Sequence, residues 1–164
     1  MLSIDPDSGI RADQVVELDL GLLPSPSGSG ELLLQNVNGN AYLVLVVVDR
    51  DYREVGPAVV TFTRCEQSVF GYPNDEAQGG DPRLRDHWGF LEVRDSSWPR
   101  RLERYNRQAF PVPGNPWSAR HFVVMCKENL GEFLADDVSV EAWPGTFDAA
   151  VAEAVRRSLQ DNPA

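Results

Sequence analysis

The sequence contains little cysteine, little histidine and almost no lysine. Two cysteines and two histidines occur in 164 residues, and 14 of the 15 basic residues are arginine. Cys65 and Cys126 each lie inside an apolar, strand-like segment, and neither a CxxC motif nor a Cys/His zinc spacing is present. These features exclude a disulfide framework or a zinc finger and predict two buried thiols.

Long apolar runs and familiar catalytic motifs are also missing. No stretch of about 18 apolar residues occurs, and residues 1–7 lack the basic and apolar regions of a signal peptide. The glycines follow neither the P-loop nor the dinucleotide-binding spacing, and no Gly-x-Ser-x-Gly is present. We therefore expect a soluble, cytoplasmic protein without membrane association, and we exclude the NTPase, Rossmann and serine esterase classes.

The charge is strongly one-sided. The net charge is -10 and the pI is about 4.6, so the overall field repels phosphate backbones and argues against nucleic acid as a partner.

With 164 residues, of which 42% are hydrophobic, the chain is long enough for one core and too short for two. We predict a single domain over residues 1–164.

The clearest local pattern is a hairpin signal. Two apolar segments, 31–37 and 41–48, flank Asn38-Gly39, and Asn-Gly favours a tight turn because both residues tolerate positive φ. Residues 43–48 are apolar without alternation. The pattern predicts a β-hairpin whose second strand is covered on both faces and central in its sheet.

Other segments have the composition of β-strands. They are 15–20, 57–65, 87–93, 120–127 and 132–143. Ser96 or Ser97, followed by Pro99, predicts the start of a mid-chain helix. A C-terminal helix is expected after Pro144-Gly145-Thr146, with an apolar stripe at Phe147, Ala150, Val151, Ala154, Val155 and Leu159. The predicted fold class is α+β and mostly β, with antiparallel twisted sheets or an open barrel and these two helices.

Unusual side chains are concentrated between residues 70 and 90, where two predicted strands are joined. Carboxylates, an amide, an imidazole and an indole occur there on a Gly/Pro framework, and a rigid scaffold can aim such loop groups at a ligand. We therefore predict a polar recognition loop at 70–90, extended by the start of the 120–127 strand. Its predicted binding residues are Tyr72, Asn74, Asp75, Glu76, His87, Trp88, Arg120 and His121.

Asp75 and Glu76 are also the candidate catalytic carboxylates. Adjacent carboxylates can perform general acid/base chemistry when burial separates their pKa values, and His121 is the candidate partner. The alternative is a structural role, because Pro73-Asn74-Asp75 is good turn chemistry and either acid can cap a short helix.

The two histidines offer a weaker possibility. His87 and His121 each begin a predicted strand, so their rings can meet at one end of a sheet. There they can form a two-His-one-carboxylate site with Asp75, Glu76, Asp81 or Asp86. No HxH or HxxxH spacing brings them together locally. We accordingly predict no metal and no cofactor.

The mid-chain helix has a basic face. The helix can receive a carboxylate or phosphate through Arg100, Arg101, Arg104 and Arg107, although we favour intramolecular pairing with acids such as Glu103.

The four tryptophans also have two interpretations, because such rings either line small-molecule pockets or fill the ends of a sheet.

Several of these pieces together resemble a group of small uncharacterised bacterial proteins. The resemblance is carried by Cys65, the segment 68–77, Ser96-Ser97-Trp98 and Arg120-His121-Phe122. Members of the group share the Gly-Tyr-Pro-Asn-Asp-Glu-Ala string and the His-Phe strand. The overlap covers residues 58–137 and departs at Cys126-Lys127-Glu128, where the group has an aromatic residue, a His and an Asp. The resemblance implies a shared fold and a shared surface around Asp75, Glu76 and His121, but no activity.

The sequence leaves three functions open. The leading expectation is a binding or interaction protein. Its polar recognition surface is formed by the 70–90 loop, the start of the 120–127 strand and the helix arginines, and its partner is a protein or a small molecule. The alternative is a small enzyme that uses Asp75 or Glu76 as general acid/base with His121 or His87 as partner. A variant of this alternative adds a bound divalent metal. An acidic decoy for basic partners ranks last, because the acids are spread along the chain.

Overall fold

The computed structural model describes residues 13–27, 30–37, 39–74, 77, 81–111 and 118–161. Ten strands and two helices occur among these residues. The strands are β1 Gln14–Glu17, β2 Leu23–Pro24, β3 Leu32–Gln35, β4 Ala41–Val48, β5 Glu54–Thr63, β6 Gln67–Gly71, β7 Phe90–Arg94, β8 Arg120–Met125, β9 Leu130–Ala135 and β10 Asp137–Ala142. The helices are α1 Ser97–Ala109 and α2 Phe147–Asp161. The predicted α+β, mostly β fold class is confirmed.

The strands form two antiparallel sheets, one of them curved into a half-barrel. Sheet I has the order β1-β7-β8-β9-β6, and sheet II has the order β10-β5-β4-β2 with β3 also pairing with β4. The predicted hairpin is confirmed, since β3 and β4 pair with Gln35 opposite Ala41; Asn38 of its turn lies outside the described residues. As expected, β4 is almost entirely buried and lies inside its sheet.

The core lies between the two sheets. Alternation along each strand turns one set of apolar side chains inward, so Phe90, Phe122 and Phe133 of sheet I meet Leu43 and Phe62 of sheet II. The rings of Phe62 and Phe133 stack with centroids 3.7 Å apart. Burial of these large side chains away from water is the main stabilising contribution.

Different elements cover the outer faces of the sheets. Helix α2 packs Ala150 and Ala154 against Val44 and Val59 of sheet II. The far end of its predicted apolar stripe is exposed, with Leu159 at 71%. On sheet I a smaller cluster packs under the 81–88 segment; its members are Val15, Leu84, Trp88, Leu91, Val93, Val123, Met125 and Leu130.

Several predicted boundaries were wrong. The segment 132–143 is two strands, because the chain turns at Asp136, whose N–H donates to the carbonyl of Thr63, and crosses from sheet I to sheet II. Strand β6 was missed. It is a short edge strand that runs into the expected loop, since its residues 70 and 71 belong to the 70–90 segment. Strand β7 begins at Phe90, so His87 and Trp88 precede it rather than belong to it.

The two cysteines match the prediction. Cys65 and Cys126 are both buried free thiols. Burial raises the pKa of Cys65 to about 11 and raises that of Cys126 further, so neither is a reactive thiolate at neutral pH. Within the described part of the chain, neither helix is long and apolar enough to cross a membrane.

Candidate functional site at the start of helix α1

Within the predicted recognition loop, the structure describes residues 70–74, 77 and 81–90. Tyr72 follows the end of β6 and is 84% exposed. Asn74 Oδ1 accepts a hydrogen bond of 3.2 Å from the N–H of Ala77. Asp75 and Glu76 lie outside the described residues. An acid/base site on these two carboxylates therefore stays a prediction.

His87 and Trp88 lie together beside β1. The Nδ1 atom of His87 is 3.3 Å from Oε1 of Glu17, and both side chains are partly exposed. Trp88 packs on the outer cluster of sheet I, where its buried Nε1 finds no hydrogen-bond acceptor among the described residues. His87 is thus partly accessible, whereas Trp88 is packed on the sheet.

His121, by contrast, is the centre of a buried hydrogen-bonded chain. Its side chain is 2% exposed. Its Nδ1 is 2.8 Å from Oγ of Ser96, and its Nε2 is 2.8 Å from Oε2 of Glu132. Three segments that are distant in sequence, the start of α1, β8 and β9, meet at this imidazole.

The two ring nitrogens have different partners. Nε2 faces a carboxylate, which accepts hydrogen bonds, and Nδ1 pairs with a hydroxyl, which can either donate or accept. The same Ser96 oxygen accepts from the N–H of Trp98 at 3.2 Å and caps α1, as the sequence predicted. A serine, a histidine and an acid are thus aligned, but Ser96 is only 5% exposed.

A second polar cluster holds the same helix end. Asp13 accepts the N–H of Ser97 at 2.9 Å through one carboxylate oxygen and the guanidinium of Arg83 at 3.1 Å through the other. Arg83 also bonds Asp81, and these hydrogen bonds hold the pKa of Asp81 below its usual value. The 81–88 segment and the start of α1 therefore form one connected surface.

Arg120 has a different role from its neighbour His121. Its Nε and Nη2 donate to the two oxygens of Glu92 at 2.9 and 3.1 Å, and its Nη1 donates to Asp137 at 3.1 Å. The guanidinium also lies 4.7 Å from the ring of Phe122. Arg120 thus joins β7 to the start of β10, tying the two sheets together.

Beyond its first residues, α1 is poorly covered. The helix lies wholly within the described residues, and none of its side chains is buried. Trp98, Leu102 and Tyr105 recur on one side, and Tyr105 is 57% exposed. A helix in a folded domain normally gains most of its stability from packing of an apolar face, and α1 does so without fully burying any residue.

The opposite side of α1 borders a shallow groove of about 410 Å³ that is largely open to solvent. Its lining residues are Arg100, Glu103, Arg104, Arg107 and Gln108. We call Arg100, Arg104 and Arg107 the arginine face. Arg100 also donates to the carbonyl of Asp95, and the expected Glu103 pair is present, with Arg107 Nη2 2.5 Å from Glu103 Oε1.

The two histidines bond different carboxylates, His87 that of Glu17 and His121 that of Glu132. Among the described residues, no group of three or more His, Cys, Asp or Glu side chains is placed to hold a metal ion.

Comparisons with known proteins add no family to these observations. No protein-family model, curated protein sequence or solved structure matches the chain.

Two contributors to this site were not foreseen. Ser96 was recognised as a helix cap but not as a partner of His121, and Glu132 drew no attention within its strand. Period-two alternation places Glu132 on the same face as Leu134, which lies opposite His121. That pairing follows from the β8–β9 register, which the sequence does not specify.

Proposed function

We propose that the protein is a binding protein that recognises an anionic ligand or partner through the arginine face of α1. The observation that carries this proposal is the open groove in which three arginines follow one another along a helix without a buried residue. Guanidinium groups in such a row bind carboxylate or phosphate oxygens with paired hydrogen bonds.

The predicted recognition loop contributes to the same surface. Arg83 of the 81–88 segment and Ser97 of α1 share the carboxylate of Asp13. His87 and Trp88 therefore lie on a segment tied to the start of α1. In this proposal the loop positions the helix and adds accessible contacts beside it, in a cytoplasmic protein.

The Glu103–Arg107 pair does not remove the arginine face as a binding surface. The pair is an exposed i,i+4 interaction with the Arg107 side chain 66% accessible, and such pairs stabilise a helix by only about 0.3–0.5 kcal/mol. An incoming anion can therefore replace or share Glu103 at small cost.

An enzyme remains the second candidate because of one specific observation. His121 is hydrogen-bonded to a carboxylate on one side and to a serine hydroxyl on the other, which is the arrangement of a proton relay. Its burial argues for a structural role, since a catalytic base must reach a substrate proton. The enzyme proposal requires movement of Trp98, whose ring lies against His121.

The test is a titration of ¹⁵N-labelled protein with citrate, a small tricarboxylate, followed by NMR. We expect saturable shifts of the side-chain Nε–H signals of Arg100, Arg104 and Arg107 and of the α1 backbone amides. Arg50 is the internal control, because it is an exposed arginine in the β4–β5 turn. Equal shifts at Arg50 and α1, or no shift at either, would contradict the proposal.

A further inference from the structure

We infer that the occupant of the arginine face is a short, extended acidic segment of another protein, bound through alternate carboxylates. The inference rests on the proposed function and names the class of partner.

The spacing of the arginines favours an extended segment. With a rise of about 1.5 Å per residue, Arg100 and Arg104 are separated by about 6 Å along the helix axis and Arg104 and Arg107 by about 4.5 Å. In an extended chain, side chains on one face repeat every two residues, or about 6.6 Å. Acidic residues at alternate positions therefore match the spacing of successive arginines to within about 2 Å, a difference that the long arginine side chains can take up.

The total charge of the protein limits the size of the partner. The chain has a net charge of -10, whereas α1 carries four arginines and one glutamate. Because electrostatic forces are screened over about 8 Å at physiological ionic strength, a short segment in the groove experiences mainly the arginines. A nucleic-acid duplex or an anionic bilayer extends over the acidic remainder and is repelled.

The chemistry of the groove favours carboxylates held by hydrogen bonds. Each guanidinium can donate two parallel hydrogen bonds to one carboxylate, a geometry that an ammonium group does not offer. Glu103 already makes one charge-assisted hydrogen bond in the groove, because its Oε1 accepts from Nη2 of Arg107. A carboxylate of the partner would repeat the interaction that the helix makes with its own side chain.

The experiment measures fluorescence anisotropy of a rhodamine-labelled eight-residue peptide of alternating Glu and Ser. The matched peptide has Gln in place of every Glu. The protein is the full chain, compared with the double variant Arg104→Gln/Arg107→Gln and with the control Arg50→Gln/Arg53→Gln, which has the same net charge. Circular dichroism verifies that both variants are folded.

We expect the Glu peptide to bind the wild type and the control equally, and the α1 variant about tenfold more weakly, which corresponds to a loss of about 1.4 kcal/mol. The Gln peptide should not bind. Equal binding to all three proteins would overturn the inference, as would binding to phosphatidylserine vesicles without binding of the peptide.

Failure of this inference can be separated from failure of the proposed function. If citrate shifts the α1 arginines but the Glu peptide does not bind, α1 is a small-anion site and only the peptide is wrong. If neither probe affects α1, both proposals are wrong.

Discussion

The indole ring of Trp98 meets the imidazole of His121 edge-on, with ring centroids 5.0 Å apart. This contact and the Ser96–His121 hydrogen bond join the first turn of α1 to the middle strand of sheet I. Within the described ranges, the later turns of α1 bury no side chain. Helix α1 is thus attached to the sheet at its N-terminal end and exposed from Arg104 onward, which suits the binding role proposed above.

Replacing His121 by alanine should lower the free energy of unfolding by about 2–4 kcal/mol, because it removes a buried ring and leaves Ser96 and Glu132 without their partner. Urea denaturation followed by fluorescence measures this loss. The matched control is His87→Ala, whose ring is partly exposed and has one contact of 3.3 Å; it should change the free energy by less than about 0.5 kcal/mol. Equal stability of the two variants would show that His121 is not a structural partner.

Ser96→Ala should destabilise the protein by about 1–2 kcal/mol, since one hydroxyl both caps α1 and bonds His121. The neighbouring variant Ser97→Ala is the control, because its hydroxyl makes only a long contact of 3.4 Å to Asp13. Thermal unfolding monitored by circular dichroism distinguishes the two. A lower melting temperature for Ser97→Ala than for Ser96→Ala would contradict the assigned role of the cap.

Gly131→Ala should cost about 1–3 kcal/mol by overpacking. A methyl group there would lie 2.6 Å from Cε2 of Phe133, whose ring cannot retreat because it stacks on Phe62. Gly30→Ala is the comparison, since its nearest atom, on Phe147, would be 3.8 Å away in ordinary contact. Chemical denaturation of both variants measures the free energy of unfolding. If Gly131→Ala leaves it unchanged, the core can rearrange to accommodate the added methyl group.

Glu92 should make part of the stability pH-dependent. Hydrogen bonds from Arg120 hold the pKa of Glu92 below its usual 4.5. A carboxylate whose pKa is lowered by folding contributes stability above the unfolded-state pKa and loses it as the pH falls through the folded-state value. Stability should therefore fall more steeply in the wild type than in Glu92→Gln between about pH 5 and pH 3.

The control for this pH profile is Glu54→Gln, because Glu54 is exposed at the start of β5. Its profile should follow that of the wild type. Identical profiles for wild type and Glu92→Gln would show that the Arg120–Glu92 contact contributes nothing to folding.

The parts of the fold that could be predicted are those with local causes. Asn-Gly specifies the turn between β3 and β4, Ser96 and Pro99 specify the start of α1, and apolar surroundings specify that Cys65 is buried. In contrast, the turn at Asp136 depends on an N–H that bonds Thr63, more than 70 residues earlier. Such a contact leaves no local signal in the sequence.

In the candidate site, too, the features with local causes could be predicted and the long-range contacts could not. The arginines of α1 could be placed on one face from their spacing alone. The partners of His121 could not be predicted, because Glu132 reaches it only through the register of β8 and β9, and Ser96 reaches it only when α1 docks on the sheet. The sequence thus identified His121 as unusual without giving its role.

The most direct test of recognition by α1 is an exchange of charges between the helix and its ligand. Arg104→Glu/Arg107→Glu should lose the Glu/Ser peptide and gain binding of a peptide of alternating Lys and Ser. Arg50→Glu/Arg53→Glu, with the same net charge, should retain the Glu/Ser peptide and gain nothing. If both variants gain the Lys/Ser peptide equally, or if the Glu/Ser peptide binds both with unchanged affinity, the arginine face of α1 is not the recognition surface.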